Sequence, residues 1–325
     1  MPYTAIRSLH TVPSTIAQKL PSDMSIHGLL AAELAVGMAS GRPPFPAWNA
    51  VLPSQSDINT SIPLIWPPEL QRLLPAGAKL RLRKQQRMFT RDWTAFSRGF
   101  PRIPRGSYAY AWLLVNSRTF YFETTRTATY PWVDRLAQLP VADLFNHSVE
   151  PGCRVSYSAR GYEIVAVDDF GAGQEMYISY GDHSNDYLLA EYGFVLQRNK
   201  CDEVCLDDVV LPRLGKGDGD EGMTLRSPVG ADELQGRVKQ DGMAFTSALA
   251  GLKLQAALKT LAKGTSNSPD EVLGELVEES LVGVEKTLAE LESMTGLEAE
   301  RELLSRRWQQ IREVLEGART AMADS

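Results

Sequence analysis

The sequence predicts an α+β protein in which a β-containing body precedes an all-helical C-terminal part. Three observations carry that expectation. Residues 139–197 hold short alternating runs of apolar and polar residues bounded by turn residues, the pattern of consecutive strands. Residues 270–321 instead repeat leucine and valine every three or four positions among glutamate and arginine, the period of amphipathic helices. Between them, residues 200–242 are rich in Gly, Asp and Pro (RLGKGDGDEG), which reads as a linker or loop. A chain of 325 residues is long enough for two domains, and the expected boundary near 213–222 separates 1–212 from 213–325.

Taken in order, the first segment, MPYTAIRSLHTVPSTIAQKLPSD, shows no basic stretch leading into an apolar one and is not read as a secretory signal. Met24 to Met38 has helical character (SIHGLLAAELAVGM), and Pro43 to Trp48 breaks it. Leu64–Leu74 and Arg83–Arg98 are further helix candidates, and the apolar segment Tyr108–Phe122 is interrupted at Ser117-Arg118. Strands are expected at Arg154–Ser158, Glu163–Val167 and Glu175–Tyr180, with turns at Arg160-Gly161 and Gly171-Ala172-Gly173. A helix then opens at Ser184 and carries Leu188, Leu189 and Tyr192 on one side. The tail reads as helices over Ala244–Lys263, Asp270–Gly296 and Leu297–Ala321, the second started by a Ser268 cap and Pro269 in the first turn.

Composition narrows the function classes. No run approaches the ~18 apolar residues of a membrane span. The formal charge of −6 argues against broad nucleic-acid binding and leaves local basic patches open. That charge is unevenly spread: residues 266–325 hold 14 acids and 6 bases, a net of −8, so the preceding 265 residues hold 26 acids and 28 bases, a net of +2. The three cysteines build no disulfide framework, and Cys201 with Cys205 offers at most half of a tetrahedral zinc site, so no metal is expected. The expected compartment is cytoplasm or nucleus, where the sequons at Asn59 and Asn146 carry no meaning.

The chemically informative stretch runs from Leu139 to Val195. Taken alone, Asn146-His147-Ser148 after an apolar run is an ordinary polar turn, and Tyr180, Tyr192 and Phe194 are edge-strand and core aromatics. A Ser148–His147–Asp143 hydrolase is a poor reading, because neighbours in one loop are badly disposed to place nucleophile and base and the sequence has no G-x-S-x-G elbow. Taken together, however, four motifs occur in order: Ala111 to Ser117-Arg118, Asp143-Leu144-Phe145-Asn146-His147-Ser148, Tyr180-Gly181-Asp182-His183-Ser184-Asn185, and Tyr192-Gly193-Phe194. In this combination the chain resembles the SET-domain methyltransferases, and within them the Rubisco large-subunit methyltransferase-like group. The resemblance is good over roughly residues 12–210, while the tail agrees only in being helical.

The resemblance implies a β-rich knotted SET core with a helical insertion (about 20–137, then 138–200) and a helical C-terminal domain like a substrate-binding domain. It implies S-adenosyl-L-methionine as cofactor and methylation of a protein nitrogen, lysine of a non-histone protein first and histidine as the alternative. Tyr180 is then the residue at the methyl-transfer point. Arg118, Asn146, His147 and Phe194 hold the cofactor, and Ser117, Asp143 and Tyr192 line the acceptor channel. A basic ribosomal or translation protein is the expected partner, with no direct nucleic-acid or membrane contact. Relatives carry a Gly-x-Gly turn ahead of the segment that Val12-Pro13-Ser14 resembles; this sequence shows none there, and Gly171-Ala172-Gly173 reads as a hairpin turn instead. A catalytically impaired SET-like binding module is the rival reading on that ground.

Overall fold

The computed structural model describes residues 6–158, 161–215, 223–226, 250–263 and 265–323. They form two compact units, one of residues 1–58 and 84–181 and the other of residues 59–83 and 182–325. The Gly/Asp-rich stretch expected at the boundary lies largely outside the described residues.

In the first unit, helix α1 (Ile26–Ala39) is apolar nearly all round and correspondingly buried. Ser25 caps it by accepting from the Gly28 N–H at 2.8 Å, and Asp134 accepts from the Ile26 and His27 N–H groups at 2.8 and 3.0 Å. Three of the orphan donors of the first turn are thereby satisfied. Helix α2 (Ala76–Gly99) contributes Phe89, Trp93 and Phe96 to an aromatic cluster with Tyr108 and Trp112 of α3 (Arg105–Ser117), the Phe96 and Tyr108 rings stacking at 4.2 Å. Buried Asp92 in this core accepts from Ser25 Oγ and Trp112 Nε1 at 3.0 and 3.1 Å.

The strands follow. β1 (Thr119–Tyr121) pairs antiparallel with β2 (Leu136–Gln138). β3 (Asn146–His147) pairs with the later β6 (Tyr177–Ile178) in parallel, whereas β4 (Cys153–Ser158) and β5 (Gly161–Ala166) between them form an antiparallel hairpin. Ile6, Phe122, Ala137, Leu139, Ala142 and Tyr162 make the small core beneath. Two expectations shrink. The strand expected over Glu175–Tyr180 is two residues long, because it pairs only with the equally short β3. The helix expected over Leu64–Leu74 is confined to Pro68–Gln71, since Pro63, Pro67 and Pro68 each lack an N–H and push the preceding residue out of helical geometry.

In the second unit, α4 (Asn185–Tyr192) ends at Gly193, whose φ of +78° is left-handed and whose added Cβ would lie 2.8 Å from the Ser61 carbonyl oxygen. Only glycine satisfies both constraints. Gly193→Ala is therefore expected to destabilise the protein by about 1–3 kcal/mol, read as a lower urea midpoint at unchanged m. β7 (Glu203–Cys205) pairs antiparallel with β8 (Thr224–Arg226), and α5 (Asp207–Arg213) follows β7. Helices α6 (Leu252–Lys263), α7 (Pro269–Ser293) and α8 (Glu298–Ala323) bury a Leu/Val core around Leu254, Leu276, Val277 and Leu315. Ser268 and Glu271 form a reciprocal capping box at the start of α7, as its serine and proline implied. Among the described residues no helix is long and apolar enough to cross a membrane.

Candidate active site

The site begins at a sharp backbone turn. Val141 has φ +81°, a conformation β-branched residues rarely adopt, and it opens the single turn Ala142–Leu144 that carries Asp143 inward. The Asp143 carboxylate is fully buried. Trp48 Nε1 lies 3.0 Å from both of its oxygens, and Arg118 Nη1 stands 3.5 Å from Oδ2 while donating to the Asp143 backbone carbonyl at 2.8 Å. Burial pushes the Asp143 carboxyl up from its ordinary range, and Trp48 and Arg118 oppose that rise.

Arg118 sits one residue past the end of α3, beside Ser117, whose Oγ donates back to the Leu113 carbonyl at 2.8 Å. Of the Arg118 donors, Nε is buried and has no partner among the described residues. An unsatisfied guanidinium N–H in a half-buried position costs free energy until an acceptor arrives.

The parallel pairing of β3 with β6 is what brings the Asn146-His147 and Tyr180 motifs together. His147 lies opposite Ile178, and the Ser148 N–H donates to the Ile178 carbonyl at 3.1 Å. Two residues on, the Tyr180 N–H donates to His147 Nδ1 at 3.1 Å, and the two rings stack at 5.1 Å. That bond makes Nδ1 the acceptor and places the proton of a neutral imidazole on Nε2. The Tyr180 hydroxyl donates to the Phe145 carbonyl at 2.7 Å, so the phenol is pinned at both ends. Burial pushes its pKa above the ordinary tyrosine range; Arg118 lowers it and Asp143 raises it. At neutral pH it is a protonated phenol whose proton is committed to the Phe145 carbonyl. Asn146 is exposed, its amide donating to Glu175 Oε1 at 2.6 Å.

Of the residues expected at a site, Ser117, Arg118, Asp143, Asn146, His147 and Tyr180 lie in the first unit. Tyr192 and Phe194 belong to the second unit, at and just beyond the end of α4, with ring centroids 6.2 Å apart. Sequence reasoning missed the roles of Trp48 as donor to Asp143, of Glu175 as partner of Asn146, and of the Phe145 carbonyl. The first two are pairings across 95 and 29 residues, for which no local pattern exists. Trp48→Phe removes the indole donor and leaves a buried carboxylate short of a partner, an expected loss of about 1.5–3 kcal/mol in urea denaturation.

The donor set suits S-adenosylmethionine on one observation in particular. The buried, unpartnered Nε of Arg118 matches the anionic end of an amino-acid ligand, and the exposed Asn146 amide beside His147 adds neutral donors and acceptors.

Fold and site together define a SET-type architecture. Residues 49–181 match the SET domain family. It has the fold of the Rubisco LSMT structures: a crystal structure of the LSMT SET domain bound to lysine and AdoHcy aligns over 100% of this chain and 80% of that one, with TM-score 0.57 and 15% identity. A structure of Rubisco LSMT bound to AdoMet aligns with TM-score 0.52 and 16% identity, over 100% of this chain and 81% of that one. Among curated proteins, the chain is 28% identical over 138 residues to the ribosomal lysine N-methyltransferase set11 of Schizosaccharomyces pombe, covering 42% of this chain and 35% of that protein. It is 32% identical over 155 residues to SET domain-containing protein 4 of Mus musculus, covering 42% and 35%. The chain thus matches about a third of the length of these relatives.

Proposed function

We propose that the protein is an S-adenosylmethionine-dependent protein N-methyltransferase whose acceptor is a lysine of a non-histone protein, with ribosomal proteins the first substrates to examine. The observation that carries the reading is the Tyr180 phenol, held by its own hydroxyl on Phe145 and by its backbone on His147, beside an arginine with a buried N–H that has no partner among the described residues. Support for lysine comes from the names of the relatives, two of which are ribosomal lysine N-methyltransferases, from Schizosaccharomyces pombe and Saccharomyces cerevisiae.

S-adenosylmethionine, when bound, supplies a methyl group activated by a sulfonium. Arg118 would hold the ligand's carboxylate, and Asn146 and His147 would contact its adenine and amino-acid portions. Ser117 would line the acceptor channel. Asp143 acts at one remove: its buried carboxylate, tied to Trp48, fixes Arg118 and keeps the Ala142–Leu144 turn in place. Tyr180 is the catalytic residue. Its hydroxyl oxygen accepts from the incoming amine and orients the nitrogen lone pair, while its bulk excludes water. A phenol with a raised pKa is no base, so the amine loses its proton to solvent before reacting. For a lysine of pKa near ~10.4 that costs roughly 4.6 kcal/mol at pH 7, and desolvation in the channel lowers the cost. Turnover at subsaturating substrate accordingly rises with pH between about 7 and 9, close to tenfold per unit at first. The acidic helix α7 of the second unit suits a basic protein partner.

Calorimetric titration with S-adenosylmethionine tests the reading. Saturable binding that Arg118→Met weakens by about ten- to 150-fold, the worth of one charge-assisted hydrogen bond, supports it. Absence of binding up to millimolar ligand contradicts it.

A further inference from the structure

The modest net charge of the body conceals a concentrated cationic surface. Residues 76–118 hold ten lysines and arginines against a single acid, Asp92, and Asp92 is buried. The cations are ordered by the helix that carries them. Within α2, the exposed positions from 84 to 98 are Lys84, Arg87, Thr90, Arg91, Thr94 and Arg98, so every exposed residue is a cation or a threonine. The four cations follow one another at three-, four- and seven-residue steps, which places them on a single narrow stripe of the helix. The opposite side of α2 buries Gln85, Phe89, Asp92 and Phe96. Past the end of the helix Arg102 and Arg105 are also exposed, but Arg105 lies over the Phe89 ring at 5.0 Å, on the side of α2 away from the stripe.

We propose that this stripe binds the phosphate backbone of RNA. Three features favour a phosphate chain over other anions. The stripe is dominated by arginine, whose planar fork grips phosphate oxygens two at a time. Its shortest steps advance by about one helical turn, ~5.4 Å, and Lys84 to Arg98 spans about 21 Å, so one strand meets several cations in succession. Its exposed positions carry no apolar side chain, only threonine hydroxyls between the charges. A protein partner needs apolar or aromatic anchors to hold a specific interface, whereas backbone binding to RNA needs charge and hydroxyl donors. A bilayer is disfavoured because the apolar side of α2 is already occupied by the aromatic core and has nothing left to insert. The proposal needs neither methyl donor nor transfer chemistry, so it stands or falls apart from the function proposed above.

The test is fluorescence anisotropy of the full chain with a labelled single-stranded 20-mer RNA, titrated at several salt concentrations. Arg91 is paired with Asp92 at 2.9 Å, so Lys84, Arg87 and Arg98 neutralise three phosphates and give a slope of log K against log salt near about −2.1, or roughly 18-fold weaker binding at 200 mM than at 50 mM salt. The variant Lys84→Gln/Arg87→Gln/Arg98→Gln leaves Arg91 beside buried Asp92 untouched, and should bind at least about tenfold more weakly at 50 mM salt with a slope shallower by about 2. The charge-matched variant Arg306→Gln/Arg312→Gln/Arg319→Gln on α8 should bind RNA as the parent does. Equal loss in both variants, or none in the first, overturns the stripe as the site. Displacement of RNA by polyglutamate as readily as by unlabelled RNA assigns the surface to an acidic protein and overturns the proposal. Flotation with phosphatidylserine vesicles that exceeds RNA binding at the same salt does so as well.

Discussion

Tyr180→Phe should reduce methyl transfer by about 10²–10³-fold, the usual cost of losing one preorganised polar contact to the reacting groups. The change removes one oxygen, and that oxygen is fixed in advance: it donates to Phe145 at 2.7 Å while the backbone N–H of the same residue donates to His147. The phenol ring stays, so stacking on His147 and exclusion of water persist. S-adenosylmethionine affinity should therefore change by less than about threefold, corresponding to ~0.65 kcal/mol. Calorimetry and a single-turnover assay separate the two quantities. Equal losses in both would make Tyr180 a cofactor-binding residue and displace it from the transfer point. Because the Phe145 carbonyl loses its donor, thermal unfolding of the variant needs to be followed alongside.

The largest expected effect on stability lies in the second unit, at Arg307→Met. Arg307 is fully buried and donates from Nε to Asp186 at 2.6 Å, from Nη1 to Asp202 at 2.7 Å and from Nη2 to the Glu203 carbonyl at 3.1 Å. Removing it strands two carboxylates in the interior, an expected loss of about 3–5 kcal/mol in urea denaturation at pH 7. The pH dependence has a definite sign. Burial already raises the Asp186 pKa, with Arg307 pulling against it. Without Arg307 the folded-state pKa rises further, and a group raised on folding favours the native state below its unfolded pKa and loses that contribution as pH rises through the folded one. The deficit of Arg307→Met should accordingly shrink as pH falls from 7 toward about 4. The triple variant Arg307→Met/Asp186→Asn/Asp202→Asn should recover much of the stability, because an intact buried ion cluster is worth little more than neutral residues of similar size. The cluster anchors α4 to α8: Asn185 and Asp186 open α4, and Arg307 lies on α8. A loss of Arg307 is thus expected to loosen the segment bearing Tyr192 and Phe194.

How much of this was legible beforehand depends on sequence distance. The capping box at Ser268, the helix α1 and the β4–β5 hairpin follow from residues within a few positions of each other, and each appears close to where local patterning put it. The motif residues Asn146, His147 and Tyr180 were legible only as separated motifs. Their contact depends on a two-residue parallel pairing between β3 and β6, too short to leave a periodic signal. The Trp48–Asp143 bond and the Arg307 cluster join residues 95 and more than 100 positions apart, and neither partner carries a mark of the other. Charge was legible in aggregate and misleading in detail. A sum near zero over the body hid an exposed stripe of arginine, because apart from Asp92, which pairs with Arg91, the compensating acids lie elsewhere in the chain.

The central proposal is that this chain moves a methyl group onto a lysine side chain through Tyr180. Incubation with methyl-tritiated S-adenosylmethionine and ribosomal proteins, followed by complete acid hydrolysis and amino-acid analysis, tests it most directly. The account predicts label in ε-N-methyllysine with the parent chain and about 10²–10³-fold less with Tyr180→Phe. Label in methylhistidine, or equal labelling by parent and variant, would contradict it.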